Sequence, residues 1–294
     1  MAVQLKGMLG DYPATKALKT GGVKSPSVAI DWADVKVPSS AFKRTVRNLE
    51  FDVSELAIVT YLIGKAYGRP LVLLPAVVVG RFQHPFLVYN KARGPLTPGQ
   101  LNGKRVGIRS YSVTTVTWVR GIMQNDYGVD LSGIDWVTFE EPHVAEFKDP
   151  PNLQRAPADK DLLGMLQAGE IDAAIVGSRV PPGGDIVSMI DDPAAAGEAW
   201  KKKYGAIQIN HMVVVKQSLS QSNPDAVREI WRMLKESKAA GGEAANGAGP
   251  DSLPYGIEAN RRNLEIAIDT VHQQKLIPRK FTVDDATKSA AQHC

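Results

Sequence analysis

The sequence predicts an α/β protein of two lobes, and three observations predict it. The chain has 294 residues, beyond the size at which one hydrophobic core usually stops growing. Short apolar runs alternate with segments of helical spacing along nearly its whole length, the order expected of repeated strand and helix. One run, LVLLPAVVV, is apolar throughout, the pattern of a parallel strand buried on both faces.

Taken in order, VQLKGML reads as a strand, and GDYPATKAL places Asp11 as a helix N-cap with Pro13 in the first turn. SVAIDWADV reads as a second strand and AFKRTVRNLEF as a short helix. FDVSELAIVTYLIGKAYGRP combines a strand edge with an amphipathic helix ending at Gly68, and Ser54 and Glu55 fall at the start of that helix. After LVLLPAVVV come a strand FLVYN, a strand KRVGIR, a helix stopping at Gly128 and a strand IDWVTF. Residues 141–160 form a Pro-rich, charged excursion, for which a lid and a subunit contact are equal readings. DLLGMLQAGEIDAAIVG supplies a helix, a Gly turn and a strand, and AGEAWKKKYG a polar helix. IQINHMVVVK is a strand that returns to the first lobe, followed by a helix from about Pro224 to Ala240, a Gly/Ala-rich loop GGEAANGAGPDS, and the helix RRNLEIAIDTVHQQK. The expected lobes are 1–88 plus 212–294, and 89–211.

The composition excludes several classes. Apolar residues make up 44% of the chain, charged residues 22%, and no run reaches the roughly 18 apolar residues of a membrane span. The net charge is +4, with basic residues scattered rather than gathered in a stripe, which points to a small anion and away from nucleic acid. The single cysteine, Cys294, is the last residue and permits neither an intramolecular disulfide nor a cysteine metal site. The N-terminal segment lacks the pattern of a secretory leader, so a cytoplasmic location is expected. No G-x-G-x-x-G, Walker loop, H-E-x-x-H, C-x-x-C or G-x-S-x-G string occurs, which argues against nucleotide cofactors, zinc proteases and nucleophile-elbow hydrolases.

The order of elements resembles the type II periplasmic-binding-protein fold, in which a ligand cleft lies between the lobes. Four strings are more specific: GDYPATKAL, FDVSELAIVTYLIGKAYGRPLVLLPAVVVGRFQH, GKRVGIRSYSVTTVTWVRGIMQNDYGVD and PYGIEANRRNLEIAI resemble the 4,5-dihydroxyphthalate decarboxylase family over about a third of the chain. The resemblance implies removal of one carboxyl group from an aromatic dicarboxylate without an organic cofactor, and a small aromatic carboxylate as partner. Fold alone does not settle function, so a non-catalytic solute receptor of an ABC-type transporter stands as the alternative. Neither nucleic acid nor membrane is expected as a partner, and self-association is left open.

Decarboxylating a hydroxylated ring requires an acid to protonate the ring carbon, a base, and anchors for carboxylates. Arginine suits the last role through paired charge-assisted hydrogen bonds. Arg81, Phe82 and His84 follow LVLLPAVVV, at the strand end where ligands gather in open α/β sheets, and fit an anchor, a ring contact and a proton carrier. The plain alternative is a surface loop. Arg109, Ser110, Ser112, Thr114 and Thr115 lie between a strand and the helix carrying Trp118 and Arg120, where backbone amides can bind an anion or a Ser or Thr can simply cap the helix. Asp11, Tyr12 and Thr15 form a third loop. Glu55 is a candidate base, with Ser54 beside it. His211 is catalytic if strand alternation turns it toward the cleft, and otherwise a satisfied interior histidine. No pair of histidines has a convincing metal spacing, though convergence of His84, His211 and Glu55 leaves a divalent ion open.

Overall fold

The computed structural model describes residues 2–178, 180–242, 253–288 and 293. From residue 243 onward the Gly/Ala-rich loop lies outside the described residues, as does Cys294. The chain divides into two compact units, Met1–Arg81 with Ile207–Cys294, and Phe82–Ala206. This division assigns Phe82 and His84 to the second unit, whereas the sequence reading put residues up to 88 in the first.

In chain order the strands are β1 Val3–Met8, β2 Val28–Trp32, β3 Val53–Ala57, β4 Leu71–Gly80, β5 Leu87–Asn90, β6 Arg105–Ile108, β7 Asp135–Thr138, β8 Gln154–Arg155, β9 Ala173–Ile175, β10 Ile186–Ser188 and β11 Ile209–Lys216. The helices are α1 Pro13–Lys19, α2 Phe42–Asn48, α3 Ile58–Ala66, α4 Thr114–Asp126, α5 Leu162–Ala168, α6 Pro193–Tyr204, α7 Gln217–Ser222, α8 Pro224–Gly241, α9 Ile257–Gln273 and α10 Val283–Thr287. The short β10, α7 and α10 were not foreseen, being too brief to develop a period.

The first unit carries a sheet of order β2-β1-β3-β11-β4. β1 pairs in parallel with β2 and β3, while β11 is antiparallel to both β3 and β4. β1 to β4 therefore share one direction, and β11, re-entering from the second unit, runs against them. LVLLPAVVV is buried on both faces as expected, but the expectation of a parallel strand is corrected in its pairing: among the strands β4 pairs only with the antiparallel β11, at the sheet edge. Pro75 is the reason. It cannot donate to a ladder, and the register jumps across it, Val213 facing Leu74 while Met212 faces Val77. Leu5, Val53, Val72, Leu74, Val213 and Val215 from the sheet pack with Ile230 and Leu234 of α8. α3 is buried on every side from Ile58 to Gly64, so it is a core helix rather than the amphipathic one expected. It stops as foreseen before Gly68, whose φ of 74° suits a residue without Cβ.

The second unit carries a sheet of order β10-β5-β9-β6-β7-β8, in which β9, β6, β7 and β8 are mutually parallel. Val106, Ile108, Trp136 and Ile175 from its strands pack with Val116, Val119 and Met123 of α4. Among the described residues no helix is long and apolar enough to cross a membrane.

Candidate functional site

Strand alternation decides where His211 points. On the antiparallel pair β3–β11, Glu55 faces Val213 and His211 faces Ala57. Residues two apart on a strand share a face, so Glu55 and His211 are diagonal neighbours, within reach of long side chains. Their side chains meet, His211 Nδ1 lying 2.8 Å from Glu55 Oε1. Ser54 and Glu55 thus sit in a strand, not at the start of a helix. FDVSELA is buried at every position of β3, and the helix begins only at Ile58.

Glu55 is fully buried, and three donors converge on its carboxylate. The Gly10 N–H donates to Oε2, while the Tyr12 hydroxyl, at 3.0 Å, and His211 both reach Oε1. A carboxylate only accepts, so the proton of this histidine tautomer sits on Nδ1 and Nε2 is left without one. Burial, reinforced by the neighbouring Glu55 charge, raises the Tyr12 phenol well above its ordinary value, and Tyr12 remains a neutral donor. The His211 side chain is 17% exposed, and the edge of the imidazole meets the Phe42 ring at a centroid distance of 4.9 Å.

The loop after β1 is shaped to serve this carboxylate. Thr15 is fully buried and donates to the Gly10 and Tyr12 carbonyls, at 2.6 and 3.2 Å, while accepting from the Tyr12 N–H. Gly10 is required by close approach, since a Cβ there would lie 2.4 Å from the Tyr12 ring. Asp11 is not the expected N-cap. Tyr12 holds that position, and the Asp11 side chain is exposed and paired with Lys19, whose charge lowers its pKa. A hollow of about 890 Å³ lined by Asp11, Tyr12, Lys16 and Lys19 adjoins the same loop, but neither Glu55 nor His211 lines it.

Because β11 is reversed, its start lies at the same sheet edge as the ends of β1, β3 and β4. His211, Gly10, Tyr12 and Arg81 therefore share the carboxyl edge. Arg81 follows β4 directly, is half-buried, and acts on the Tyr12 phenol as a positive charge. Ser54 faces away from this group, its hydroxyl lying 3.2 Å from Thr45 Oγ1 and donating to the Glu55 carbonyl.

The remaining candidates belong to the second unit. Phe82 packs edge-on against Trp200 and over Gly197. His84 is buried, with no hydrogen-bond partner for Nδ1 among the described residues; desolvation, only partly opposed by Asp126, lowers its pKa to about 4. Arg109 lies 3.6 Å from Glu140 and 3.4 Å from His143. Ser110, Ser112, Thr114 and Thr115 are all buried around the start of α4. None of them caps it, because the N-cap is Val113, without a side-chain bond. The sequence reading missed the Gly10 amide and the Phe42 contact, and it assigned no role to the buried Arg120. Among the described residues no three His, Cys, Asp or Glu side chains are grouped as a metal site requires.

No family model matches the chain. It is 28% identical over 254 residues to the 4,5-dihydroxyphthalate decarboxylase of Comamonas testosteroni, covering 81% of this chain and 75% of that one. It is 31% identical over 209 residues to the 4,5-dihydroxyphthalate decarboxylase of Pseudomonas putida, covering 65% of this chain and 79% of the relative. The chain belongs to the 4,5-dihydroxyphthalate decarboxylase family. Its fold is that of the periplasmic binding proteins. The periplasmic aliphatic sulphonate binding protein SsuA from Escherichia coli superposes with a TM-score of 0.60 at 14% identity, over 96% of this chain and 91% of that one. The ligand-binding component of an ABC-type import system from Staphylococcus aureus does so with a TM-score of 0.57 at 11% identity, over 99% of both chains. In this family member, then, a binding-protein fold carries a buried carboxylate–imidazole pair at a sheet edge.

Proposed function

We propose that the chain is a cofactor-independent decarboxylase of a hydroxylated aromatic dicarboxylate such as 4,5-dihydroxyphthalate, giving protocatechuate and CO2. The observation that carries this reading is the Glu55–His211 pair, which an anion receptor does not need and an acid–base catalyst does. A ring hydroxyl para to the departing carboxylate pushes electrons into the ring, and protonated His211 delivers a proton to the carboxyl-bearing carbon. The C–C bond then breaks, its electron pair restores the aromatic ring, and CO2 leaves. One proton is consumed per carboxylate lost, and the imidazole is reprotonated from water.

Glu55 has both oxygens engaged and does not touch the substrate in this scheme. It is a positioning residue that fixes the orientation and tautomer of the imidazole. Arg81 at the same edge supplies a positive charge for a substrate carboxylate. The second reading, a solute receptor, is favoured by the names of the solved structures that share the fold.

Purified protein incubated with 4,5-dihydroxyphthalate, with and without a chelator, separates the two. The enzyme reading expects CO2 release in both samples. Tight binding with no CO2 favours the receptor. A cytoplasmic location is part of the proposal, and cell fractionation tests it.

A further inference from the structure

Arg120 lies two turns into α4 and is fully buried, yet among the described residues its Nε and Nη1 have no hydrogen-bond partner and no carboxylate lies within ion-pair distance. Its remaining nitrogen, Nη2, donates to the Tyr111 carbonyl at 2.9 Å, and the guanidinium stacks 3.6 Å from the Tyr111 ring centroid. Side chains on a helix lean toward its N-terminus, so this one reaches back beneath the loop that opens α4. Next to Tyr111, the fully buried Ser110 also has an unpartnered hydroxyl. Val113, the N-cap of α4, supplies no side-chain cap, and its N–H donates to the Ser110 carbonyl at 3.4 Å.

Two guanidinium nitrogens and a hydroxyl, all buried in the segment that opens α4, thus have no hydrogen-bond partner among the described residues. Asp149 acts on Arg120 as a negative charge and lies 4.0 Å from Arg155, while its Oδ1 is buried with no hydrogen-bond partner among the described residues. Burying an unpaired guanidinium is costly; here it lowers the Arg120 pKa to about 10, and a methionine of similar volume would be cheaper. Arg109, the arginine that the sequence points to, lies beside Glu140.

We infer that Arg120, with the Ser110 hydroxyl, forms the anchor for one carboxylate of an aromatic substrate, and that the half-buried Tyr111 ring is the cover an incoming carboxylate displaces. The identity of the anion as an aromatic carboxylate rests on the function proposed above; the oxyanion site itself does not.

Phthalate tests this, since it offers both carboxylates but lacks the hydroxyl needed for turnover. Calorimetric titration is expected to show binding to the wild type, and binding at least tenfold weaker for Arg120→Met at an equal or higher melting temperature. Arg120→Lys keeps the charge but not the fork, and is expected to fall between the two. In the wild type, phthalate should also shift the Arg120 Nε–H resonance, a reading that needs no variant. Wild-type affinity in Arg120→Met, no binding to the wild type, or an unmoved Arg120 resonance overturns the inference. Weakened binding in Arg120→Met without CO2 release by the wild type leaves the anion site standing and removes the enzyme. CO2 release with undiminished binding in Arg120→Met does the reverse.

Discussion

At the residue scale, the proposed chemistry depends on a carboxylate that is buried and yet fully served. An unpaired buried charge is expensive, and Glu55 is tolerated because an amide, a phenol and an imidazole all donate to it. The amide comes from Gly10, and that glycine makes a sharp prediction. In Gly10→Ala the new methyl meets the Tyr12 ring, so the ring or the loop must move. The cost should be about 1 to 3 kcal/mol of stability. A denaturant titration measures it, and turnover should fall at least tenfold as Glu55 loses donors. Stability and rate equal to wild type would show that this loop does not hold the carboxylate. Tyr12 and Glu55 were legible in the sequence as candidates, but their partnership was not, since 43 residues separate them. Arg120 did leave a signal: a charge between Val119 and Met123 on a helix whose residues 114–123 are all buried.

At the element scale, one pairing brings the site together. Glu55 and His211 are 156 residues apart, and only the register of β3 against β11 makes them diagonal neighbours. The sequence identified β11 by its apolar run and β3 only as a strand edge, and register is a long-range property that turn chemistry fixes only in hairpins. The strand boundary in FDVSELAIV was misjudged for a related reason: Glu55 reads as a first-turn acid, and burial of both strand faces removes the alternation that would have corrected it. Pro75 did carry the edge character of β4, and the apolar run around it masked the sign. Within the second unit, His84 yields a pH prediction. Its folded pKa, near 4, lies below the ordinary value of about 6.5, so between those values the unfolded chain binds the proton and the folded chain does not. Its contribution is therefore complete above pH 6.5 and is lost as the pH falls toward 4, by about 3 kcal/mol if the shift is fully expressed. Unfolding free energies measured across that window should show the wild type losing stability relative to His84→Phe toward the acid end, and parallel curves would show that His84 is not buried as a neutral imidazole.

At the scale of the whole molecule, an alternating βα pattern and a length beyond one core were enough to read two α/β units, because both follow from how apolar surface must be buried. Function was legible only through the family strings. The same fold in SsuA belongs to a sulphonate binding protein, so the difference between receptor and enzyme lies in side chains rather than architecture. In the proposed reading of this chain those side chains are Glu55 and His211. The most direct test is the rate of CO2 release from 4,5-dihydroxyphthalate by wild type, Glu55→Gln, His211→Asn and the double variant, with folding checked in each. If the two residues act as one unit, each single change should lower kcat by about 100-fold or more, and the double variant should be little worse than His211→Asn alone. Losses that multiply in the double variant, or a His211→Asn protein that turns over at the wild-type rate, would contradict the account.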